Sequence, residues 1–116
     1  MANRTPKVAI GNLQLTTSLT DTSYTVPANT TLTISAFTLN NTTGTPRTVT
    51  INVIPSGGSA AATNEMATTI AVPAAGAAPT IVSSLVGHHV EAAGKVQAKA
   101  DAATAVTILV SGYLTA

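Results

Sequence analysis

The sequence has no cysteine and no tryptophan, and only three aromatic side chains, Tyr24, Phe37 and Tyr113. Without cysteine there is no disulfide framework and no thiolate metal site, so the fold must rest on packing and backbone pairing. Charge is scarce as well. Asp, Glu, Lys and Arg make up 8% of the 116 residues, against about 25% in an ordinary soluble domain. The formal net charge is +1 with His neutral. That is too weak to steer the chain toward nucleic acid or an anionic membrane, or to hold copies apart by repulsion. Long apolar runs are missing too. The most apolar stretch, Ile70 to Val82, is interrupted by Pro73, Gly76 and Pro79, and cannot cross a membrane as a helix. Residues Met1 to Asn12 lack the charged-then-apolar order of a secretory leader, which implies synthesis in a cytoplasm.

Small residues dominate what is present. Ala and Thr each supply about a fifth of the chain, and 45% of residues are apolar. Thr favours strands because its branched β-carbon stiffens χ1 and suits a pleated surface. Ala fills close contacts between sheets. A chain so apolar and so poor in charge has two ways to hide its surface. It can bury it against other subunits, or cover it with Thr hydroxyls. The length fits one domain that buries a core without staples.

Periodicity points to strands. Thr31 to Leu39 alternates Leu32, Ile34 and Ala36 against Thr31, Thr33 and Ser35, and a phase shift at Ala36–Phe37 predicts a bulge. Arg47 to Ile54 alternates Val49, Ile51 and Val53 against Thr48, Thr50 and Asn52. The Gly-containing link Asn40 to Pro46 predicts that these two strands form a hairpin. Val8 to Leu19 carries an alternation that slips at Gly11–Asn12, which predicts a bulge or a turn between two short strands. Glu65 to Val72, Thr80 to Val86, Lys95 to Ala100 and Thr104 to Leu114 complete the set. Met1 to Lys7 reads as a polar arm. Asp21 to Thr30, Pro55 to Asn64 and Gly87 to Gly94 read as connections, the second with room for one helical turn among its alanines. No sustained 3.6-residue period and no internal repeat occurs. The expected fold is all-β: an antiparallel β-sandwich, jelly-roll-like, of seven or eight short strands. Residues 13–116 form its single domain, and residues 1–12 an N-terminal arm or first short strand.

The chemical inventory is thin. The four acids, Asp21, Glu65, Glu91 and Asp101, fall in turns or at strand ends, and nothing local pairs two for acid–base work. Ser56–Gly57–Gly58–Ser59 is Gly-rich but lacks the Lys and following helix of a phosphate loop. Thr-x-Thr pairs at 20/22, 31/33 and 48/50 read as the wet outer face of a sandwich. The cations Arg4, Lys7, Arg47, Lys95 and Lys99 are scattered without interleaved aromatics, which argues against nucleic-acid binding. His88–His89–Val90–Glu91 is the one constellation that looks like a site. On a strand His89 and Glu91 share a face, two donors where zinc needs three or four. A turn or an interface role is therefore expected, with no catalytic residue, no metal and no cofactor.

Several stretches carry a resemblance. They are Tyr24-Thr-Val-Pro-Ala-Asn-Thr-Thr, Leu39-Asn-Asn-Thr-Thr-Gly-Thr, Val53-Ile-Pro-Ser-Gly-Gly-Ser, Glu91-Ala-Ala-Gly-Lys-Val-Gln-Ala-Lys-Ala and the ending Ala105-Val-Thr-Ile-Leu-Val-Ser-Gly-Tyr. In this order, from about Leu15 to Leu114, the chain resembles small β-sandwich virion proteins of tailed bacteriophages, most of all capsid decoration (cement) proteins. Lys95 stands where an acidic residue often follows the Ala-Gly turn, and Asn29 where Gly is usual in the Pro-Ala-Asn turn. The resemblance implies a non-enzymatic virion protein on the capsid surface, made in the host cytoplasm. Its partners would be the major capsid protein of the same phage and its own copies in a homotrimer, with no nucleic acid or membrane. A tail, neck or fibre-associated module, or a receptor- or glycan-binding β-sandwich, is the alternative. Partner contacts are expected first at Arg4 and Lys7 in the arm, and at His88, His89 and Glu91 in the Gly87–Gly94 turn.

Overall fold

The strand periods close into two sheets. The computed structural model describes residues 4–116, apart from the side chains of residues 67 and 68. Among these residues there are nine strands: β1 (Arg4–Gln14), β2 (Ser23–Thr25), β3 (Thr31–Asn41), β4 (Arg47–Ile54), β5 (Glu65–Val72), β6 (Thr80–Ile81), β7 (His89–Val90), β8 (Lys95–Ala100) and β9 (Val106–Thr115). One sheet runs β1-β9-β3-β6, with β7 also on β3, and the other runs β2-β8-β4-β5. All pairings are antiparallel. With β7 set aside, the pairs nest from the ends inward: β1 with β9, β2 with β8, β3 with β6, β4 with β5. The ladders β3:β9 and β4:β8 then join neighbouring pairs within each sheet. A long hairpin rolled over in this way is the eight-stranded jelly roll. The shortest extent of the molecule, 20 Å, is that of two packed sheets.

The apolar period fills the space between them. Leu32, Ile34, Phe37, Leu39, Val49, Ile51, Val96, Val106, Ile108 and Val110 are fully buried. Phe37 is the one aromatic ring among the fully buried side chains, and Ala98, Ala100 and Ala105 keep the sheets close. The bulge expected in β3 lies between Ile34 and Ala36. It leaves Ser35 and Ala36 both exposed and returns Phe37 and Leu39 to the core. At this point β9 runs so near β3 that a Cβ on Gly112 would collide with the Thr33 carbonyl. In β1 the slip at Gly11–Asn12 is a bulge within one strand. Asn12 has φ 42°, a left-handed conformation that Asn tolerates.

Three expectations need correction. First, β3 and β4 do not form a hairpin, because they belong to different sheets. The link 42–46 is an arch between layers, and the buried Asn41 side chain holds it. Its Nδ2 donates to Thr45 O at 2.6 Å and Val72 O at 3.4 Å. Its Oδ1 accepts from Thr43 N and Thr43 Oγ1, both at 2.8 Å. A side chain that satisfies four groups replaces the ladder bonds a hairpin would have made. Second, Thr80 to Val86 is a strand only at Thr80–Ile81, and a 3-10 turn follows at Ser83–Leu85. The turn lies opposite the β3 bulge, flanked by Val82 N to Phe37 O and Gly87 N to Ile34 O. Third, of the two readings of residues 1–12, arm or first short strand, the strand holds from Arg4 on: Arg4 to Lys7 is no free arm but the start of edge strand β1, paired with β9. Pro6 sits there without conflict because an edge strand has one side without ladder bonds. Met1 to Asn3 lie outside the described residues. The short strands β2 and β7 lie in segments read as connections.

The alanines after Gly58 do make one helical turn, the 3-10 turn Ala62–Asn64. This loop folds over the outer face of β4. Asn52 Nδ2 donates to Asn64 Oδ1 at 2.7 Å, and Asn64 Nδ2 donates to Ser59 O at 2.9 Å. Ile54 is buried beneath the same loop, separate from the main core.

Candidate protein-binding surface

Register places most of the residues singled out above at one end of the five-stranded sheet. Pro6 pairs with Tyr113, Tyr113 with Thr33, and Thr33 with His89. Directly opposed residues of antiparallel strands share a face. The row Pro6–Tyr113–Thr33–His89 therefore crosses the whole sheet on its outer side. Arg4 begins β1 at the margin of this row, its guanidinium carbon 5.1 Å from the Tyr113 ring centroid. Lys7 turns toward the seam between the sheets, with Nζ 5.9 Å from the Tyr24 ring centroid. Burial pushes the Tyr24 phenol above its ordinary pKa. Its hydroxyl is buried without a hydrogen-bond partner.

The His-His-Val-Glu segment is divided. His89 lies in β7, with Nδ1 2.8 Å from Thr33 Oγ1. His88 is exposed, and its carbonyl accepts from Ile34 N at 3.0 Å. The Glu91 carboxylate accepts the Ser56 N–H at 3.1 Å, tying its turn to the loop after β4. His89 and Glu91 border one shallow groove of about 230 Å³ with Val53, Ile54 and Pro55. Among the described residues no group of three or more His, Cys, Asp or Glu is placed to hold a metal. A depression of about 530 Å³ beside His89 is lined by Asn29, Thr30, Thr31, Thr33 and Thr115, and by no Asp or Glu.

Beyond that row the same face turns apolar. Val8, Ser111 and Ala36 form the next row, and Leu109, Thr38 and Ile81 the one after. Val8 is 55% exposed, Ile81 68% and Leu109 38%. The side chains between them are hydroxyls and a methyl. Among the described residues, the charged side chains on the strands of this sheet are Arg4 and Lys7. The other sheet carries Arg47, Glu65, Lys95 and Lys99 on its strands. No family model, curated protein or solved structure matches the chain.

The exposed members of this face had a partial signal in sequence. Once Val106, Ile108 and Val110 are assigned inward, Leu109 must point out. Ile81 carried no such signal, because β6 is two residues long.

Proposed function

We propose that this protein is a non-enzymatic structural component of a bacteriophage virion, a capsid decoration protein that binds the outside of the head shell and clamps neighbouring major capsid subunits. The observation that carries the reading is the broad face of the five-stranded sheet, nearly free of charge and studded with exposed Val8, Ile81 and Leu109. Surfaces left in water seldom group apolar side chains in this way, and the centres of protein interfaces are depleted in charge. The sequence resemblance and the jelly-roll topology, an architecture used in capsid proteins among others, point in the same direction. Clamping needs no strong single contact. Each weak contact gains from the effective concentration set by the first, and a homotrimer multiplies it. Small, uncharged side chains lose little rotamer freedom and little hydration on docking.

Immunogold labelling of purified particles of the source phage tests this. Dense label over the whole head supports a decoration protein. Label confined to the tail or neck replaces it with the tail-module reading, and unlabelled particles remove the protein from the virion.

A further inference from the structure

We infer that the outer face of the β1-β9-β3-β6 sheet is the side laid against the shell, and that the surface it meets is foreign protein, apolar at its centre and carboxylate-bearing at the corner that faces Arg4. This rests on the shell-binding reading and adds an orientation to it. The β2-β8-β4-β5 sheet, with Lys95, Lys99 and Glu65, is turned to solvent.

Two independent distributions separate the faces. Among the described residues the exposed large apolar side chains are Val8, Leu13, Met66, Ile81, Val86 and Leu109. Val8, Ile81 and Leu109 lie on the outer face of the five-stranded sheet and Val86 in the segment joining β6 to β7, which runs along β3, whereas Leu13, paired with the inward Ile108, lies at the β1 edge and Met66 in β5. Charge is distributed the other way. No acid lies on a strand of the five-stranded sheet, whereas Glu65 stands in β5 and Asp21, Glu91 and Asp101 stand in connections. Interface centres favour the first pattern and water the second.

Charge complementarity selects the occupant. Arg4 is the one cation on this face among the described residues, and within the chain it meets the Tyr113 ring, whereas Lys7 turns to Tyr24 at the seam. A second copy docked through the same face would bring another Arg4 and no strand carboxylate. A foreign surface with an acidic group at that corner meets Arg4 and avoids the like-charge juxtaposition. The edge of β1 is an unsuitable alternative. Pro6 removes a donor there, and register shifts at Val8/Ile10 and Ile10/Leu13 distort the ladder, the means by which edge strands resist further pairing. The contact is therefore made by the face.

The absence of native cysteine makes the test direct. Ile81→Cys marks this face, and Thr48→Cys marks an exposed position on β4. Each variant is incorporated into source-phage particles, and maleimide labelling rates are compared between free protein and particle. Ile81→Cys is expected to label at least tenfold more slowly in the particle, and Thr48→Cys at its free rate. Reversal of the outward cation, Arg4→Glu, is expected to lower occupancy at least tenfold in particles, with the circular dichroism of the free protein unchanged. Equal labelling of the two sites, or protection of Thr48→Cys alone, overturns the orientation while leaving the protein in the virion. Protection of Ile81→Cys in particles that carry the chain only on the tail overturns the shell reading and keeps the docking face. Full occupancy by Arg4→Glu overturns the acidic corner. A free-protein dimer in sedimentation that Ile81→Glu abolishes overturns the foreign partner.

Discussion

Replacing Asn41 tests the arch that sends β4 into the opposite sheet. The side chain is 2% exposed and makes four hydrogen bonds. They do not count equally. The contact to Val72 O at 3.4 Å is at the edge of useful geometry. Thr43 Oγ1 keeps a second acceptor in Thr45 O at 3.1 Å. The groups stranded by Asn41→Ala are therefore chiefly the Thr43 N–H and the Asn41 donor's share of Thr45 O. At about 1–2 kcal/mol for each stranded buried group, the loss is roughly 2–4 kcal/mol. That is a large part of the ~5–15 kcal/mol that holds a domain of this kind, and lowers Tm by roughly 10 °C. Asn41→Asp separates donor from acceptor. It keeps the shape and the bonds from Thr43, but sets a carboxylate against two carbonyl oxygens. At pH 7.5 it should be at least as damaging as the alanine. Burial and those oxygens hold the carboxyl's folded-state pKa above its unfolded value of about 3.9. A raised folded pKa gives stability that is fully present below the unfolded value and lost as pH rises through the folded one. Asn41→Asp should therefore regain ground on Asn41→Ala as pH falls toward 4. Urea unfolding followed by far-ultraviolet circular dichroism at pH 7.5 and 4.5 measures all three proteins. A loss under about 1 kcal/mol for Asn41→Ala, or wild-type stability for Asn41→Asp at pH 7.5, would refute the argument.

Other changes test other parts of the fold. Gly112→Ala drives a methyl into the Thr33 carbonyl and must separate β9 from β3; a loss above about 3 kcal/mol, or failure to fold, is expected in the same unfolding assay. Tyr24→Phe removes a dry, unpartnered hydroxyl and should leave stability at pH 7.5 unchanged or raised by up to about 1 kcal/mol. Burial raises the Tyr24 pKa, so the neutral phenol's contribution is fully present below the ordinary value of 10.0 and is lost as pH rises through the higher folded-state value; wild type should weaken relative to Tyr24→Phe as pH rises above 10.0. Removing residues 1–7 strips the Arg4 to Lys7 pairing with β9 and should lower the melting temperature by more than about 5 °C.

Much of the sandwich was legible because its information is local. Thr31 to Leu39 and Arg47 to Ile54 alternate, and alternation reports a strand with one buried face whatever lies beside it. The bulge at Ile34–Ala36 was visible as a broken phase within one segment. The partner of each strand was not visible. A Gly-containing link of a few residues serves a hairpin or an arch equally well, and the choice was made by a buried Asn41 that resembles any turn asparagine in sequence. The strands β2 and β7 escaped, and β6 was read too long, because two or three residues carry no period, and these strands exist only where β8 and β3 supply the ladder. Of the candidate surface, Arg4, Lys7 and His89 were named from charge and chemistry. Their gathering at one end of a sheet depends on registers spanning most of the chain. Val8 and Ile81 could be picked out only after their strands had been placed.

The nesting of the pairs also governs when the protein can fold. Arg4 pairs with Thr115, more than a hundred residues along the chain. The five-stranded sheet cannot close on a ribosome until β9 has emerged, and β3 meanwhile lacks its longest partner. Closure across such separations is slow, on the order of milliseconds to seconds for sandwiches. During that interval a chain with little charge exposes unpaired strands at whatever concentration the cell has reached. A protein needed in many copies would then be limited by the delay before its last strand pairs with its first, and lower expression temperature should raise soluble yield more than added salt.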